Sequence, residues 1–553
     1  MIYLRKYWTI WRVNRIKIIN NNKIYDYEEK TIYDYGIQCG FEDSIVALKN
    51  NKLVDIMSSI DDGDTIEFVN ENSVYSQDTL MKTGILLLLL AFKIKFPEDQ
   101  LVVEYTIGDY MYLEFENNNE IHFRDLEEIR ELMDDLINQN LRIERVKVSR
   151  KEAFDIFERE GYIQKSRLLK SLDKDEVYLY KCHNHYFGIE GFVAPFTRFL
   201  KNYKLINYFP GVALSVSRTG EFTEFKEQKA LSKIFSKSKK WTEMLDIGYV
   251  GSLNEKIQDG NMDFLVSVNE AYFENQISYI ADKIIYNNAR LVQISGPSSS
   301  GKTTMAERLS VQLAVRGKNP IPISMDNYFV NRVDTPLDED GNRDYESINA
   351  LDLKTFNRDL MRLLEGDYVN LPIYNFITGE REYGDTYTKL DKNGIIIVEG
   401  IHGLNPKLTS LVPDKDKYKI YVSALTQLSI DCHNRISTTD MRLMRRMVRD
   451  FVQRDKSVDD TLSEWPRVHA AEYINVFPYQ NEADSIIDSS LIYEINILKK
   501  YVLKLVENYD KNGHNFTEIE RLKSILNYFI EIKDDSIVPK NSILQEFIGD
   551  YNE

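Results

Sequence analysis

The feature that most constrains this chain is a glycine-rich loop at residues 296–303, which reads Gly-Pro-Ser-Ser-Ser-Gly-Lys-Thr. An apolar strand is predicted just before it, at residues 289–295, and a helix-prone stretch follows at residues 304–310. This strand, loop and helix match the pattern G-x-x-x-x-G-K-[ST], whose glycines let backbone N–H groups turn inward around phosphate oxygens. The helix N-terminus adds partial positive charge to the cradle. The sequence therefore predicts a site for nucleotide phosphates.

Two residues of the loop and one acid beyond it receive roles from this pattern. Lys302 would reach the β- and γ-phosphates, and the hydroxyl of Thr303 would bind Mg²⁺. A second acidic partner is expected at the end of a neighbouring buried strand, and Glu399 follows the apolar residues 395–398. We expect Glu399 to hold Mg²⁺ or its water shell, with a solvated helix-capping acid as the alternative.

The residues around this loop alternate between predicted strands and helices. Beyond the loop strand, strands are predicted at the end of 315–324 and at 394–398 and 418–422, with helices at 353–364 and 441–453. The alternation predicts a C-terminal P-loop NTPase fold, with a parallel sheet flanked by helices. The N-terminal half instead reads as α+β, so the fold class is multidomain α/β and α+β. Its features include a predicted hairpin at residues 15–27 around an Asn-Asn-Asn turn.

Length, composition and net charge exclude several classes of protein for this chain. A length of 553 residues suggests about three or four domains, and 43% hydrophobic with 28% charged residues fits a folded chain. The net charge of −17 disfavours a protein that coats nucleic acid. Three scattered cysteines do not make a disulfide framework, which predicts a reducing, cytoplasmic location. The longest apolar run, residues 85–92, is too short for a membrane span, and residues 1–17 lack a signal-peptide pattern.

An acid at the end of the second strand separates two kinds of phosphate chemistry. A kinase must deprotonate an acceptor hydroxyl group, whereas a nucleotide hydrolase must position water. Asp326 follows the apolar stretch of that strand and would lie beside the phosphates, where it could act as a general base. Capping of a helix or turn is the alternative role for an aspartate at this position.

An arginine-rich stretch spans residues 440–456. On a helix, Arg442, Arg445 or Arg446, and Arg449 share one face. Guanidinium groups aligned in this way suit phosphate oxygens, and a lid helix that closes over ATP would have this pattern. A solvated basic face or a nucleic-acid contact is the alternative.

Five stretches in this order resemble the uridine kinase family, within the phosphoribulokinase/uridine kinase group of P-loop kinases. They are residues 296–303, 324–329, 371–376, 398–401 and 440–450. The resemblance implies ATP-dependent phosphorylation of a nucleoside 5′-hydroxyl, with Asp326, Lys302 and Arg449 as catalytic residues. The residues that it implies for substrate binding are Asp326, Tyr328, Glu346, Tyr374, Arg446 and Lys456. Those that motif and resemblance together assign to ATP are Gly296, Pro297, Ser298, Ser299, Ser300, Gly301, Lys302, Thr303, Thr304, Arg449 and Arg454.

Three positions depart from the family pattern. Glu346 stands where the family has a ribose-binding aspartate, and Gly379 stands where its pyrimidine kinases have a base-reading histidine. Lys456 stands where those kinases have an arginine near the base, and lysine does not replace arginine at a planar hydrogen-bonding site. Loss of groups that bind the base edge relaxes discrimination between nucleosides. The sequence therefore predicts the reaction, phosphoryl transfer, more strongly than it predicts uridine as the acceptor.

The remaining regions resemble parts of threonyl-tRNA synthetases. Residues 1–70 resemble a TGS domain, a β-grasp-like module, and residues 71–225 resemble the editing domain. A helical connector is predicted at 226–285, the P-loop domain at 286–495 and a helical extension at 496–553. That extension includes a tail, 537–549, characteristic of a bacterial architecture that joins these parts.

The editing-like region has incomplete metal-binding motifs. Such domains pair two motifs of histidine and cysteine, whereas this chain has Cys182, His183 and His185 and no histidine in residues 71–100. We therefore expect loss of hydrolytic editing, with a regulatory or ligand-sensing role as the hypothesis for this region.

Two other functions stay open from the sequence. One is a P-loop kinase of another small alcohol, such as a sugar phosphate or a pantothenate-like alcohol. The other is an RNA-binding or regulatory protein switched by ATP, for which tRNA is an open partner. The expected cofactors are ATP and Mg²⁺, the expected partner is a small-molecule nucleoside, and self-association into a homo-oligomer is plausible from the resemblance.

Overall fold

The computed structural model describes residues 16–18, 31–61, 63–117, 119–338, 341–375, 377–426 and 428–549. The hairpin predicted at residues 15–27, with its Asn-Asn-Asn turn, falls mainly outside these ranges, and so does Phe376. Within the described ranges, no helix combines the length and the apolar character that crossing a bilayer requires.

The first described elements form a small antiparallel sheet with one helix. They are β1 (Ile16–Ile18), α1 (Ile32–Cys39), β2 (Val46–Lys49), β3 (Lys52–Asp55) and β4 (Ile66–Phe68). The strand order is β1-β4-β2-β3, and every pair is antiparallel. Helix α1 begins at the cap residue Thr31, whose side chain accepts a hydrogen bond from the backbone N–H of Asp34.

A larger α+β region follows. Its elements are α2 (Val74–Lys95), β5 (Leu101–Ile107), β6 (Tyr110–Phe115), α3 (Phe123–Asn138), β7 (Ile143–Ser149), α4 (Arg150–Glu160), α5 (Ile163–Ser171), β8 (Glu176–Cys182), β9 (His185–Phe187), β10 (Tyr203–Tyr208) and β11 (Gly211–Val216). The strands form two antiparallel sheets, ordered β10-β11-β6-β5 and β7-β8-β9. The apolar run at residues 85–92 lies in α2 and is at most 6% exposed, so it forms a buried stretch of that helix.

Three helices lead to the P-loop strand, α6 (Lys229–Met244), α7 (Val250–Gln258) and α8 (Met262–Tyr286). The elements after them are β12 (Leu291–Ser295), α9 (Lys302–Val315), β13 (Asn319–Ser324), α10 (Leu353–Glu365), β14 (Tyr368–Val369), β15 (Pro372–Asn375), β16 (Glu380–Tyr383), β17 (Thr388–Lys389), β18 (Gly394–Glu399), β19 (Lys417–Ser423), α11 (Thr438–Arg454), α12 (Val458–Asn475) and β20 (Ser485–Asp488). Three helices follow, α13 (Glu494–Leu505), α14 (Phe516–Leu526) and α15 (Gln545–Ile548).

The central sheet of the P-loop domain is parallel throughout, in the order β13-β18-β12-β19-β20. Ile397 of β18 packs in one hydrophobic cluster with Leu309 of α9. Its neighbour Ile396 packs in a different cluster with Leu360 of α10. Because successive strand residues point to opposite faces, α9 and α10 cover opposite faces of the sheet. The predicted parallel sheet flanked by helices is confirmed.

The loop between β19 and α11 contacts the α+β region. The buried ammonium group of Lys165 lies 2.6 Å from the carboxylate of Asp431. The backbone N–H of Val103 donates to the carbonyl of Cys432 at 2.9 Å. This loop leads into α11, so the α+β region supports the start of the arginine-rich helix.

Candidate active site

The phosphate loop joins β12 to α9 and has a backbone that tolerates few side chains. Ser299 and Gly301 adopt left-handed backbone angles, with φ of 58° and 81°. A side chain on Gly296 would place its Cβ 2.1 Å from the carbonyl oxygen of Val422. Within the described part of the chain, the buried hydroxyl groups of Ser299 and Ser300 have no hydrogen-bond partner. Unpartnered buried hydroxyls in a tight glycine loop fit a cradle for an anionic ligand.

The loop lysine lies within this cradle. The ammonium group of Lys302 donates to the carbonyl of Pro297 at 2.9 Å. Burial lowers the pKa of Lys302, while Glu399 and Glu546 act in the opposite direction. Thr303, in the first turn of α9, is exposed. Ammonium and hydroxyl groups therefore stand at the helix N-terminus.

Two carboxylates lie at the same edge of the sheet. Glu399 ends β18 and pairs in register with Ser324, the last residue of β13. Asp326 follows directly, in a 3-10 helix over Met325–Tyr328. Burial and the nearby charge of Asp326 raise the pKa of Glu399 to about 7. Desolvation by the surrounding protein also raises the pKa of Asp326, although the positive charges of Lys302, Arg454 and Arg449 oppose the shift. The predicted general base, metal ligand and loop lysine are thus brought together.

A third carboxylate, that of Glu346, interacts electrostatically with this group. Burial raises the pKa of Glu346 to about 7, Glu472 and Asp326 add to the shift, and Arg446 opposes it. The backbone carbonyl of Glu346 accepts a hydrogen bond from Asn475 at 2.9 Å, which fixes this segment against the end of α12. Glu346 is thus electrostatically coupled to both Asp326 and Arg446, which the sequence also assigns to the site.

Aromatic side chains pack near the segment that carries Glu346. Tyr374 on β15 is 5% exposed, and its ring centroid lies 5.6 Å from that of Phe329. Gly379 lies in the turn between β15 and β16 with φ of 76°, and its carbonyl accepts a bond from the backbone N–H of Arg332. A Cβ at position 379 would lie 2.7 Å from the Arg332 side chain. The turn thus has no room for the histidine that family members carry at the aligned position.

The structure does not support the substrate-binding role that the family resemblance implies for Tyr328. Its side chain is 1% exposed, packs against Phe356 of α10, and donates through its hydroxyl to Asp359 at 3.3 Å. The tyrosine therefore points into the core of the domain. Its 3-10 helix turns Asp326 toward the site and Tyr328 toward the interior, which residue spacing alone did not reveal.

The lid interpretation of the arginine-rich helix also needs correction. Residues 440–450 of α11 are all buried. Arg442 is 1% exposed and bonds both carboxylate oxygens of Glu472, at 2.6 and 2.8 Å. Arg445 is fully buried against Glu494, 2.5 Å away. A buried helix anchored by two ion pairs forms part of the core, which differs from a surface lid.

These two arginines hold the phosphate loop from behind. Arg442 donates to the carbonyl of Ser298 at 3.2 Å, and Arg445 donates to that of Ser299 at 3.3 Å. Glu472 also accepts a hydrogen bond from the backbone N–H of Ser298 at 2.8 Å. Two arginine–carboxylate pairs thus fix the loop, and we call this set of Arg442, Glu472, Arg445 and Glu494 the loop bracket.

The other predicted cations lie around Ser298 and Asp450. Arg446 donates to the hydroxyl of Ser298 at 2.9 Å and lies 3.1 Å from Asp450. Arg449 and Arg454 also flank Asp450, at 3.4 and 3.2 Å. Burial, reinforced by Arg454, lowers the pKa of Arg449 to about 10.

Lys456 is held by a different acid. Its ammonium group pairs with Glu464 of α12, 2.7 Å away, and Arg446 lies 3.5 Å from the same carboxylate. Glu464 therefore links Lys456 to Arg446 and so to the cations around Asp450.

Three carboxylates at the site were absent from the sequence predictions. Glu472 and Glu494 belong to the loop bracket, and Glu546 of α15 accepts hydrogen bonds from the backbone N–H and the hydroxyl of Thr304. Glu546 lies 242 residues from Thr304 in sequence. No local motif marks such partners, because the contact depends on how the last helices pack.

The donor set fits a magnesium–nucleotide complex. Hydroxyl and carboxylate oxygens such as those of Thr303 and Glu399 are ligands that Mg²⁺ prefers, usually together with phosphate oxygens. Within the described residues, no three acidic, histidine or cysteine side chains are grouped so that they alone could hold a metal ion. A magnesium ion here would thus depend on phosphate and water for its remaining ligands.

The histidine and cysteine cluster of the α+β region lies elsewhere. Cys182 ends β8 and is paired with His185 at the start of β9. Burial raises the pKa of Cys182 to about 11, so the side chain is a neutral thiol at neutral pH.

Comparison with known proteins assigns the P-loop domain. A family model described as phosphoribulokinase/uridine kinase family matches residues 291–495. The uridine kinase of Mycoplasma genitalium is 31% identical over 207 residues, which are 37% of this chain and 88% of that protein. The chain belongs to the phosphoribulokinase/uridine kinase family. Membership supports a phosphotransferase that acts on a nucleoside or another small molecule.

Other kinases match a similar or smaller share of the chain. The uridine kinase of Borrelia duttonii is 30% identical over 201 residues, 36% of this chain and 85% of that protein. A solved structure described as a possible uridine kinase from Bacillus stearothermophilus is 23% identical, with a TM-score of 0.23, over 27% of this chain and 79% of that chain. The match of the family model, residues 291–495, does not extend to the N-terminal half.

Proposed function

We propose that the protein phosphorylates the 5′-hydroxyl of a nucleoside at the expense of ATP, with uridine and cytidine as the first acceptors to test. The observation that carries the proposal is a group of acidic side chains at the sheet edge that carries the phosphate loop. Glu399 pairs in register with Ile294 of the loop strand, Asp326 follows the neighbouring strand, and both carboxylates interact with the charge of Lys302. Glu346, whose charge interacts with that of Asp326, and the buried ring of Tyr374 would bind the acceptor. The first group suits phosphoryl transfer, and the second suits a ribose diol and a flat base.

The chemistry follows from this arrangement. The 5′-oxygen of the nucleoside would form a bond to the γ-phosphorus of ATP as the bond from that phosphorus to the bridging oxygen breaks, which releases ADP. Asp326 would accept the proton of the attacking hydroxyl. Lys302 and Arg449 would stabilise the charge on the transferred group. Thr303 and Glu399 would hold Mg²⁺, which neutralises phosphate charge when it is bound.

The proposed ATP site extends over Gly296, Pro297, Ser298, Ser299, Ser300, Gly301, Thr304 and Arg454, and the acceptor site includes Arg446 and Lys456. The loop bracket supports this proposal, because it presents a rigid loop at the N-terminus of α9.

An acceptor panel tests the proposed function. ATP and Mg²⁺ would be offered with each common ribo- and deoxyribonucleoside and, separately, with sugar phosphates and pantothenate, with ADP release measured. We expect release that depends on a pyrimidine ribonucleoside, and none from the Lys302→Ala variant. Release that depends only on a non-nucleoside alcohol would support the second candidate function, a kinase of another small molecule in the same family.

The Glu346→Gln substitution should impair nucleoside binding selectively. A hydrogen bond from a ribose hydroxyl to a carboxylate is stronger than one to an amide, so the KM for uridine should rise about tenfold while the KM for ATP changes little. Steady-state ADP release checks this expectation. Glu365→Gln, an exposed acid at the end of α10, is the matched control. With 2′,3′-dideoxyuridine the two variants should behave alike, and a persisting difference would contradict the ribose assignment.

Activity should fall below about pH 7. The pKa values of Glu346 and Glu399 are both raised to about 7, and that of Asp326 is raised from its ordinary value. As pH falls through these values, the carboxylates become neutral and lose their ability to accept a proton or bind Mg²⁺. The pH profile of kcat/KM for the nucleoside should therefore rise with pH and level off above about 7. A flat profile through acid pH would contradict these assignments.

For the N-terminal half we propose a ligand-sensing role of TGS-like and editing-like modules, in the domain division predicted from the sequence. The ion pair of Lys165 and Asp431 supports a mechanical link to the arginine-rich helix. A gel shift with tRNA at low salt, scored together with ADP release, would separate this role from an RNA-binding regulator. The cytoplasmic location and a homo-oligomer stay predictions.

A further inference from the structure

A carboxylate of the chain itself occupies donors at the start of the phosphate-loop helix. Glu546 accepts hydrogen bonds from the backbone N–H of Thr304 at 3.2 Å and from its hydroxyl at 2.8 Å. Thr304 lies in the first turn of α9, where backbone N–H groups have no partner within the helix. The partial positive charge of a helix N-terminus favours a carboxylate at this position.

The segment that carries this carboxylate, residues 541–549, is docked on two helices. The side chain of Gln453 in α11 donates to the carbonyl of Glu546 at 2.9 Å, and Arg308 in α9 donates to that of Asn541 at 3.3 Å. Phe547 is fully buried, and the guanidinium group of Arg445 lies 4.9 Å from its ring. The segment thus bridges the phosphate-loop helix and the arginine-rich helix.

Apolar anchoring and carboxylate contact are separable within the segment. Ile543 packs directly on the phosphate loop, because a Cβ on Gly301 would lie 3.0 Å from its side chain. Ile543, Leu544 and Phe547 are all fully buried, whereas Glu546 is half-buried. The backbone can therefore stay docked while the Glu546 side chain turns away by rotation about its own bonds.

Glu546 and a bound triphosphate compete for the same donors. In a phosphate loop, the N–H groups of the loop and the first helical turn hold the nucleotide phosphates. A carboxylate on Thr304 would occupy one of these N–H groups and the hydroxyl beside it, and it would repel a phosphate oxygen a few ångströms away. Arg449 and Lys302 are both electrostatically coupled to Glu546, so the carboxylate also partly neutralises the cations meant for phosphate.

We propose that Glu546 is an autoinhibitory group, which mimics a phosphate at Thr304 and must be displaced before ATP binds. This inference rests on the proposed function, because it concerns the regulation of the same ATP site. The apparent affinity for ATP is then lowered by the fraction of molecules in which Glu546 is bound at Thr304. A ligand or partner that pulls residues 541–549 away from Gln453 would raise that affinity.

Titration calorimetry with ATP and Mg²⁺ on the full chain tests the proposal. The isosteric Glu546→Gln variant keeps the shape of the side chain and removes its charge, so its Kd for ATP should be about tenfold lower than that of the wild type. Glu507→Gln, an exposed acid in the same C-terminal region, is the matched control and should bind ATP like the wild type. Adenosine, which has no phosphate, should bind the wild type, Glu546→Gln and Glu507→Gln with equal affinity.

A second variant guards against a local folding defect. Gln453→Ala removes the bond to the Glu546 backbone and leaves the phosphate loop untouched, so it should lower the Kd for ATP by about twofold to fivefold. Thermal unfolding confirms that each variant is folded.

Each remaining outcome is decisive. Equal ATP affinity in the wild type, Glu546→Gln and Gln453→Ala would overturn the inference and leave the proposed function intact. Weaker binding by Glu546→Gln would also overturn it, since Glu546 would then contribute to the nucleotide or metal site. Absence of ATP binding in the wild type and in all variants would overturn the proposed function and the inference with it.

Discussion

Asp326→Asn is expected to reduce nucleoside phosphorylation by a factor of about 10³ or more while ATP binding is retained. General bases typically contribute factors of about 10² to 10⁴ to a reaction rate, and asparagine has the shape of aspartate without its proton-accepting charge. Asp326 follows β13 at the edge where Glu399 ends β18, and its pKa reflects the nearby charges of Lys302, Arg454 and Arg449. Removal of one negative charge should leave ATP affinity unchanged or slightly increased.

The measurement is kcat for nucleoside phosphorylation together with the Kd for ATP in the same preparation. Asp334→Asn, an exposed acid in the next 3-10 helix, is the matched control and should keep wild-type turnover. Turnover by Asp326→Asn near the wild-type rate would remove Asp326 from the role of base. Loss of ATP binding together with turnover would instead assign Asp326 to the nucleotide or metal site.

Glu472→Ala is expected to destabilise the fold by about 3–5 kcal/mol and to weaken ATP binding. Burial favours the neutral carboxyl, but Arg442 and His469 outweigh it and lower the pKa of Glu472 to about 2. Its loss leaves Arg442, which is 1% exposed, as an unpaired buried charge. Ser298 would also lose the acceptor for its backbone N–H, so the phosphate loop would be less well ordered.

Urea unfolding measures the loss of stability, and Glu482→Ala, an exposed acid, should change the free energy of unfolding by less than about 0.5 kcal/mol. A double variant, Arg442→Met with Glu472→Leu, should regain much of the stability, because apolar residues of similar size often replace a buried ion pair without loss. ATP affinity should stay low in that variant, since the bonds to Ser298 are absent. Recovery of full ATP affinity would contradict the loop-bracket role.

Local patterns predicted the parts of the fold that depend on local rules. The loop at 296–303 requires a strand before it and a helix after it, and the structure has β12 and α9 at those positions. The apolar residues 394–398 of β18 predicted a buried parallel strand, and the carboxyl ends of parallel strands meet at one edge of the sheet. Asp326 and Glu399 are therefore assigned to one edge of the sheet by the sequence alone.

Long-range packing decided what the sequence missed. The spacing of Arg442 and Arg445 is typical of a phosphate-binding surface. Their carboxylate partners, Glu472 and Glu494, lie 30 and 49 residues away in sequence and pair with them in the core. The prediction for Tyr328 was wrong for a related reason. A 3-10 helix of four residues directs Asp326 and Tyr328 to opposite sides. Periodicity along one helix reports a shared face, and it does not report what covers that face.

The most direct test of the account compares two products of the same reaction. Purified protein, ATP, Mg²⁺ and the pyrimidine ribonucleoside selected in the acceptor panel would be incubated together, and ADP and nucleoside 5′-monophosphate would be quantified by mass spectrometry. The account predicts equimolar ADP and nucleoside 5′-monophosphate from the wild type and neither product from Lys302→Ala. Release of ADP without a nucleoside monophosphate, at a rate independent of the nucleoside, would contradict it and indicate a nucleotide hydrolase.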